Sequence, residues 1–169
     1  MTLDEPRATL QQLSQGSNVH QDRLEWAIAT LEKQFNAGVT LTDLAGVWRL
    51  LWTSGTQNSR KLPFRTANKE IRGSQRDRII QVIDSEHNCL TNQVCFPIGS
   101  LTISGTCHYT SSKRLNFTFS QLSLKLGTLP ALDLPFGSWA TGWLQTTYLD
   151  TEYHIERGDR GGVSLYQKR

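Results

Sequence analysis

Apolar residues recur along this chain with two periods, and the switch between them divides it. From about Val19, the residues Leu24, Ile28, Leu31 and Phe35 follow at four-three-four spacing with Trp26 and Ala27 beside them. That pattern predicts a helix with one apolar face, ended by Asn36-Ala37-Gly38. A shorter stripe, Leu10 and Leu13, lies between Pro6, suited to a first helical turn, and Gly16, a stop. So short a helix is marginal alone in water, so the second one is expected to pack across the body of the protein as a plug over one end. From Gly46 onward the period becomes two, and strands are expected near 79–83, 90–96, 101–109, 115–119 and 143–149 and at both ends of this region. Trp48, Leu50 and Trp52 are expected to share one strand face. The prediction is a mainly β chain of one domain, 1–169, with a helical segment at 1–38 and about eight antiparallel strands over 44–169.

Glycines in Gly158-Asp159-Arg160-Gly161-Gly162 permit a tight turn before a last strand at Val163-Ser164-Leu165-Tyr166. A first strand opening on Gly46-x-Trp48 and a last strand after such a turn suggest a sheet closed end to start, a lipocalin-like (calycin) barrel. In such barrels an Arg near the C-terminus covers the first indole, which makes Arg157 the expected cation–π partner of Trp48. An eight-stranded barrel is just wide enough for one small ligand. Alternation places Leu101, Ile103, Gly105, Cys107 and Tyr109 on one strand face, and Phe117 and Phe119 on the facing one. Gly105 is expected to leave room inside the wall. Alternation reports burial, so a hollow interior and a filled one both remain open.

The two end motifs also resemble a family, the plastid-lipid-associated proteins or plastid fibrillins. Gly46, Trp48, Leu50, Leu51, Thr53 and Ser54 match its opening motif, with Trp52 where Tyr is usual. Tyr148, Leu149, Asp150, Ile155, Arg157 and Gly158 match its closing motif, and His154 stands where the family has an Arg. If that Arg pairs with the aspartate at Asp150, His154 here makes the pairing pH-dependent, with its pKa raised. The resemblance covers most of the chain, from about Asp22 to Lys168. It implies non-enzymatic binding or carriage of a hydrophobic small molecule (a lipid, prenylquinone or carotenoid), with no cofactor required. It also implies a cyanobacterial protein, cytoplasmic or peripheral to the thylakoid, or a plastid protein if this is a processed plant form. Two other readings stay open: a bilin-binding protein or phycobiliprotein chromophore lyase, since those use similar small barrels, and a scaffold that stabilises a partner enzyme.

Composition adds limits. The net charge is +3, and the segment 60–78 carries seven basic residues against Glu70 and Asp77. It is a candidate contact for anionic membrane or an acidic protein, and a poor one for nucleic acid, since only Phe64 offers stacking. The segment 126–139 is apolar yet interrupted by Pro130, Pro135, Gly127 and Gly137, which is expected to forbid a regular strand or helix throughout. Leu132, Leu134, Phe136 and Trp139 make it a candidate lid or membrane contact, with a tucked loop as the alternative. Three cysteines, Cys89, Cys95 and Cys107, lack metal-ligand spacing and suggest a reducing compartment. The N-terminus lacks the marks of a secretory signal or a transit peptide. No metal site or catalytic group is expected: Cys107 and His108, adjacent on a strand, point to opposite faces and cannot act on each other.

Overall fold

The helical and extended halves separate where the period changes. Two helices, α1 (Asp4–Ser14) and α2 (Gln21–Gln34), and one turn, α3 (Leu41–Leu44), lead into β1 (Gly46–Thr53), β2 (Ile79–Asp84), β3 (Cys89–Phe96), β4 (Gly99–Ser111) and β5 (Arg114–Leu126). They are followed by β6 (Leu132–Pro135), β7 (Thr141–Leu149), β8 (Tyr153–Gly158) and β9 (Val163–Lys168). The computed structural model describes residues 4–54, 78–111, 113–135 and 140–169.

Among the described residues the strands form an antiparallel sheet in the order β4-β3-β2-β1-β9-β8-β7-β5-β6, and a β4–β5 pairing closes it. Eight strands therefore make a barrel, with first and last strands paired as expected. Closure leaves the ring without an open edge, which removes the sites where strands would otherwise recruit other chains. The ninth strand, β6, pairs with Gln121–Leu124 of β5, above the stretch Arg114–Thr118 that pairs with β7.

Two apolar clusters occupy the two faces of this wall. Leu10 and Leu13 of α1 and Leu24, Ile28 and Leu31 of α2 pack on Leu51, Trp52, Tyr148, Tyr153, Ile155 and Leu165. The helices thus lie on the outer wall over β1, β9, β8 and β7, not across an end as expected. The reason is that the closing strands are apolar on their outer face as well, and a helix stripe buries more area along a wall than over a rim. The plug is α3 with the two residues before it: Val39 and Leu44 join Trp48, Leu90 and Cys107 in the cluster inside the barrel. Thr40 and Asp43 form a capping box that holds this single turn.

A second correction concerns β1. Trp48 and Leu50 face the interior, but Trp52 joins Leu51 in the outer cluster. The register shifts between Leu50 and Trp52, a bulge that places one extra residue in β1 and reverses the alternation beyond it. In the segment 126–139 regular structure is interrupted over 127–131, and Leu132–Pro135 forms a strand of four residues. It is short and lies at a sheet edge, where a proline's missing N–H costs no ladder bond. Phe136 and Trp139, and residues 60–77 of the basic segment, lie outside the described residues.

Candidate functional site

The barrel interior brings together most of the residues that alternation singled out. Cys107, Leu115 and Phe119 are buried there, with Ile103, Tyr109, Phe117 and Leu144 partly buried against them. Leu101 lies on the same face, because it sits opposite Val94, and Val94 opposite Ile79. The rings of Phe117 and Phe119 meet with centroids 4.8 Å apart. Burial pushes the Cys107 thiol up to about 11, which makes it a core group rather than a nucleophile.

Gly105 is present in this wall for a different reason than expected. A Cβ there would stand 2.0 Å from the Thr118 carbonyl oxygen and 2.6 Å from the Phe119 Cα. The register between β4 and β5 shifts at this point, and the bulged β5 backbone presses onto the glycine. The position provides close backbone approach, not room for a guest.

At the Gly46 end the interior is sealed. Trp48 is fully buried, and its Nε1 donates to the Leu44 carbonyl at 2.8 Å. The cation over its ring is Lys168, with Nζ 5.2 Å from the centroid. Arg157 is not the partner, because it points outward and clamps α2: its Nε and Nη2 meet the two carboxylate oxygens of Glu32 at 2.9 and 2.6 Å. Glu32 also accepts from the Thr147 hydroxyl at 2.6 Å. The alternation of β8 decides this, since Ile155 and Arg157 fall on the outer face and His154 and Glu156 on the inner one.

His154 does not pair with Asp150 either. Asp150 lies at the β7–β8 turn, where it accepts from the backbone of Glu152 and Tyr153 and from the Tyr148 hydroxyl, and it forms an ion pair with the Arg7 guanidinium at 3.0 Å. His154 is inside, edge-on to Trp48 and stacked on Tyr166, with ring centroids 5.4 and 5.7 Å away. Among the described residues neither of its ring nitrogens has a hydrogen-bond partner, and Glu156 Oε2 stands 3.8 Å from Nε2. Burial alone therefore lowers its pKa to about 3, opposite to the expected rise.

Sequence reasoning missed the buried polar group beside it. Glu156 accepts from the Tyr166 hydroxyl at 3.1 Å and from Gln81 Nε2 at 3.5 Å, bonds that favour its ionised form. Burial outweighs them and pushes its carboxyl up to about 7. The Gln81 Oε1 is left without a partner among the described residues. Tyr109 and Thr146 meet nearby, hydroxyl to hydroxyl at 3.4 Å, and burial pushes the Tyr109 phenol up to about 12. The signal was available: Glu156 lies two residues from His154 and so shares its strand face.

The other end differs. Ile79, Val94, Leu101, Leu122 and Leu124 are only half-buried. They lead outward to Leu132 and Leu134, which are exposed. Chemically, the interior combines a sealed floor carrying neutral or weakly ionised polar groups with an apolar upper wall, an arrangement suited to holding an amphiphile.

Two comparisons bear on the arrangement. The family model PAP_fibrillin matches residues 8–166. The Probable plastid-lipid-associated protein 11, chloroplastic, of Arabidopsis thaliana is 27% identical over 149 residues, 87% of this chain and 67% of that protein. No solved structure matches the chain.

Proposed function

The chain belongs to the PAP/fibrillin family, the plastid-lipid-associated proteins, and from that premise we propose that it binds or carries a hydrophobic small molecule inside its barrel. The guest is a lipid, prenylquinone or carotenoid of a photosynthetic membrane, and the protein acts without catalysis and without a required cofactor. The observation that supports this most is the uneven burial of the inner face, sealed around Trp48 and half-open around Ile103 and Phe117. A barrel that served only as a packed core would gain by sealing both halves, because apolar area left wet forgoes about 25 cal/mol per Å². Ile103, Phe117 and Leu101 supply the apolar wall, Tyr109 with Thr146 a polar contact for the guest's head. Cys107 and Phe119 back that wall, and Gly105 shapes it through the β5 bulge. Gly46, Trp48, Tyr148, Asp150, His154, Arg157 and Gly158 maintain the barrel around it.

Work at the membrane surface fits the remaining features. No helix among the described residues is long and apolar enough to cross a membrane. The basic segment 60–78 is suited to anionic head groups, each basic residue near such a surface contributing about 1 kcal/mol. Quenching of tryptophan fluorescence by a short-chain prenylquinone, added without lipid, tests the binding. Phe117→Asp, which puts a carboxylate on the inner wall, should weaken binding about tenfold or more, the factor for each 1.4 kcal/mol lost. Asn116→Asp, on the outer face of the same strand, should leave it unchanged. Equal effects from both, or no quenching of the wild type by lipid, quinone or carotenoid, overturns the reading.

A further inference from the structure

The exposed large apolar side chains among the described residues are Ile98, Leu126, Leu129, Leu132 and Leu134, and all belong to one flap made by the upper parts of β4, β5 and β6 with the β3–β4 and β5–β6 turns. Directly opposite residues of antiparallel strands share a face. The registers therefore align Ile79, Val94, Leu101, Leu124 and Leu132 in one row across five strands, on the interior face. Ile103, Leu122 and Leu134 form a second row beside it. The first row is half-buried from Ile79 to Leu124 and 56% exposed at Leu132. Past it stand Leu129 and Ile98, 63% and 70% exposed, on turns joined by the Gly127 N–H donating to the Ile98 carbonyl at 2.8 Å. The opposite face of the flap is polar, with Ser100, Thr102, Ser123, Lys125 and Asp133. Along β4 and β5 the inner lining of the barrel thus continues onto the outside of the molecule without a polar break, while Asn92 and Gln81 carry the second row on β3 and β2.

We propose that this inner face, exposed among the described residues, lies against a lipid surface and is the doorway through which the barrel exchanges its guest directly with that surface, without passage through water. The inference rests on the guest-binding reading above. A lipid surface, rather than a second copy of the chain, is the occupant that charge favours. The basic segment 60–78 lies in sequence between Ser54 and Ile79, and Ile79 is itself a member of the first row, so the chain's positive surplus is joined covalently to the flap's end of the barrel. Two copies docked flap to flap would bring those surpluses together, whereas anionic head groups would neutralise them.

The test uses the full chain with vesicles of phosphatidylcholine containing phosphatidylglycerol, loaded with a tryptophan-quenching prenylquinone. Wild type should float with the vesicles, and the rate of quenching should rise with vesicle concentration, as collision requires. The double variant Leu132→Ser/Leu134→Ser should slow transfer about tenfold, since each 1.4 kcal/mol of lost apolar contact is a factor of ten. Its equilibrium quenching by the same quinone without vesicles should match wild type. A transfer rate independent of vesicle concentration, equal rates for wild type and variant, or a wild-type dimer in solution that the variant dissolves overturns the doorway. Failure of the guest reading registers separately, as absent quenching in the vesicle-free arm, and that result removes the doorway with it.

Discussion

At the Gly46 end of the barrel, Trp48, Leu90, Cys107 and Leu115 are sealed beneath Val39 and Leu44, whereas at the far end Leu101, Leu122 and Leu124, no less apolar, remain half-exposed. The difference is one of cover. The sealed end has α3 pinned over it by the capping box and by the Trp48 bond to the Leu44 carbonyl. The flap end has β6, which extends the wall, and no described helix or turn lies over it. The sealed end also carries the buried polar groups, His154, Glu156 and Gln81. An apolar residue left at a mouth forgoes burial energy but offers a guest a surface, while a polar group left unpaired in a floor costs stability and offers a guest orientation.

The strongest way to break this comparison is at its sealed end. Trp48→Ala should destabilise the fold by about 3 to 5 kcal/mol, the range for a large aromatic lost from a core, and denaturant unfolding measures it. A loss below about 1 kcal/mol would place Trp48 outside the packed floor. Next, Gly105→Ala should cost about 3 kcal/mol, the upper part of the range for overpacking, because its Cβ would meet β5 backbone rather than a movable side chain. A neutral result would restore the reading of Gly105 as spare room.

The floor's polar pair predicts a pH dependence. Glu156 has a folded pKa of about 7 against 4.5 unfolded, so its contribution is full below pH 4.5 and is lost as pH rises through 7. His154 has a folded pKa of about 3 against 6.5 unfolded, so its contribution is full above pH 6.5 and is lost as pH falls toward 3. The two cancel between pH 4.5 and 6.5, leaving a plateau that falls on both sides. Glu156→Gln, neutral at every pH, should therefore gain about 1 kcal/mol relative to wild type between pH 6 and 8. A difference that stays constant across that range would mean that Glu156 is ionised throughout. At the flap end, smaller numbers sharpen the contrast. Leu132→Ala, exposed and free of the core, should change stability by less than about 0.5 kcal/mol in the same unfolding assay. A loss above about 2 kcal/mol would show the flap packed rather than open.

Much of the barrel was legible along the chain because period-two alternation is local. The inward set Ile103, Cys107, Tyr109, Phe117 and Phe119 was readable residue by residue, and so was the pairing of first strand with last. Errors arose where one residue breaks the alternation. The bulge at Leu51 turned Trp52 outward, and the bulge in β5 after Phe119 turned Gly105 from a space into a contact. The partners of Trp48, His154 and Arg157 were misassigned for a related reason. Motif spacing says which residues are near in sequence, but parity on β8 decides that His154 goes in and Arg157 goes out.

The sequence by itself determined the two long helices, the eight strands of the ring, the closure of the barrel and the family, since each is encoded in patterns a few residues long or in two short motifs. Only the tertiary structure decided which helix turn covers an end, which cation lies over Trp48, and that a carboxyl and an imidazole share the sealed floor. Those depend on how strands far apart in sequence tilt and shift against one another around the ring. A local pattern sets the face of each residue, and the register across strands sets its neighbours.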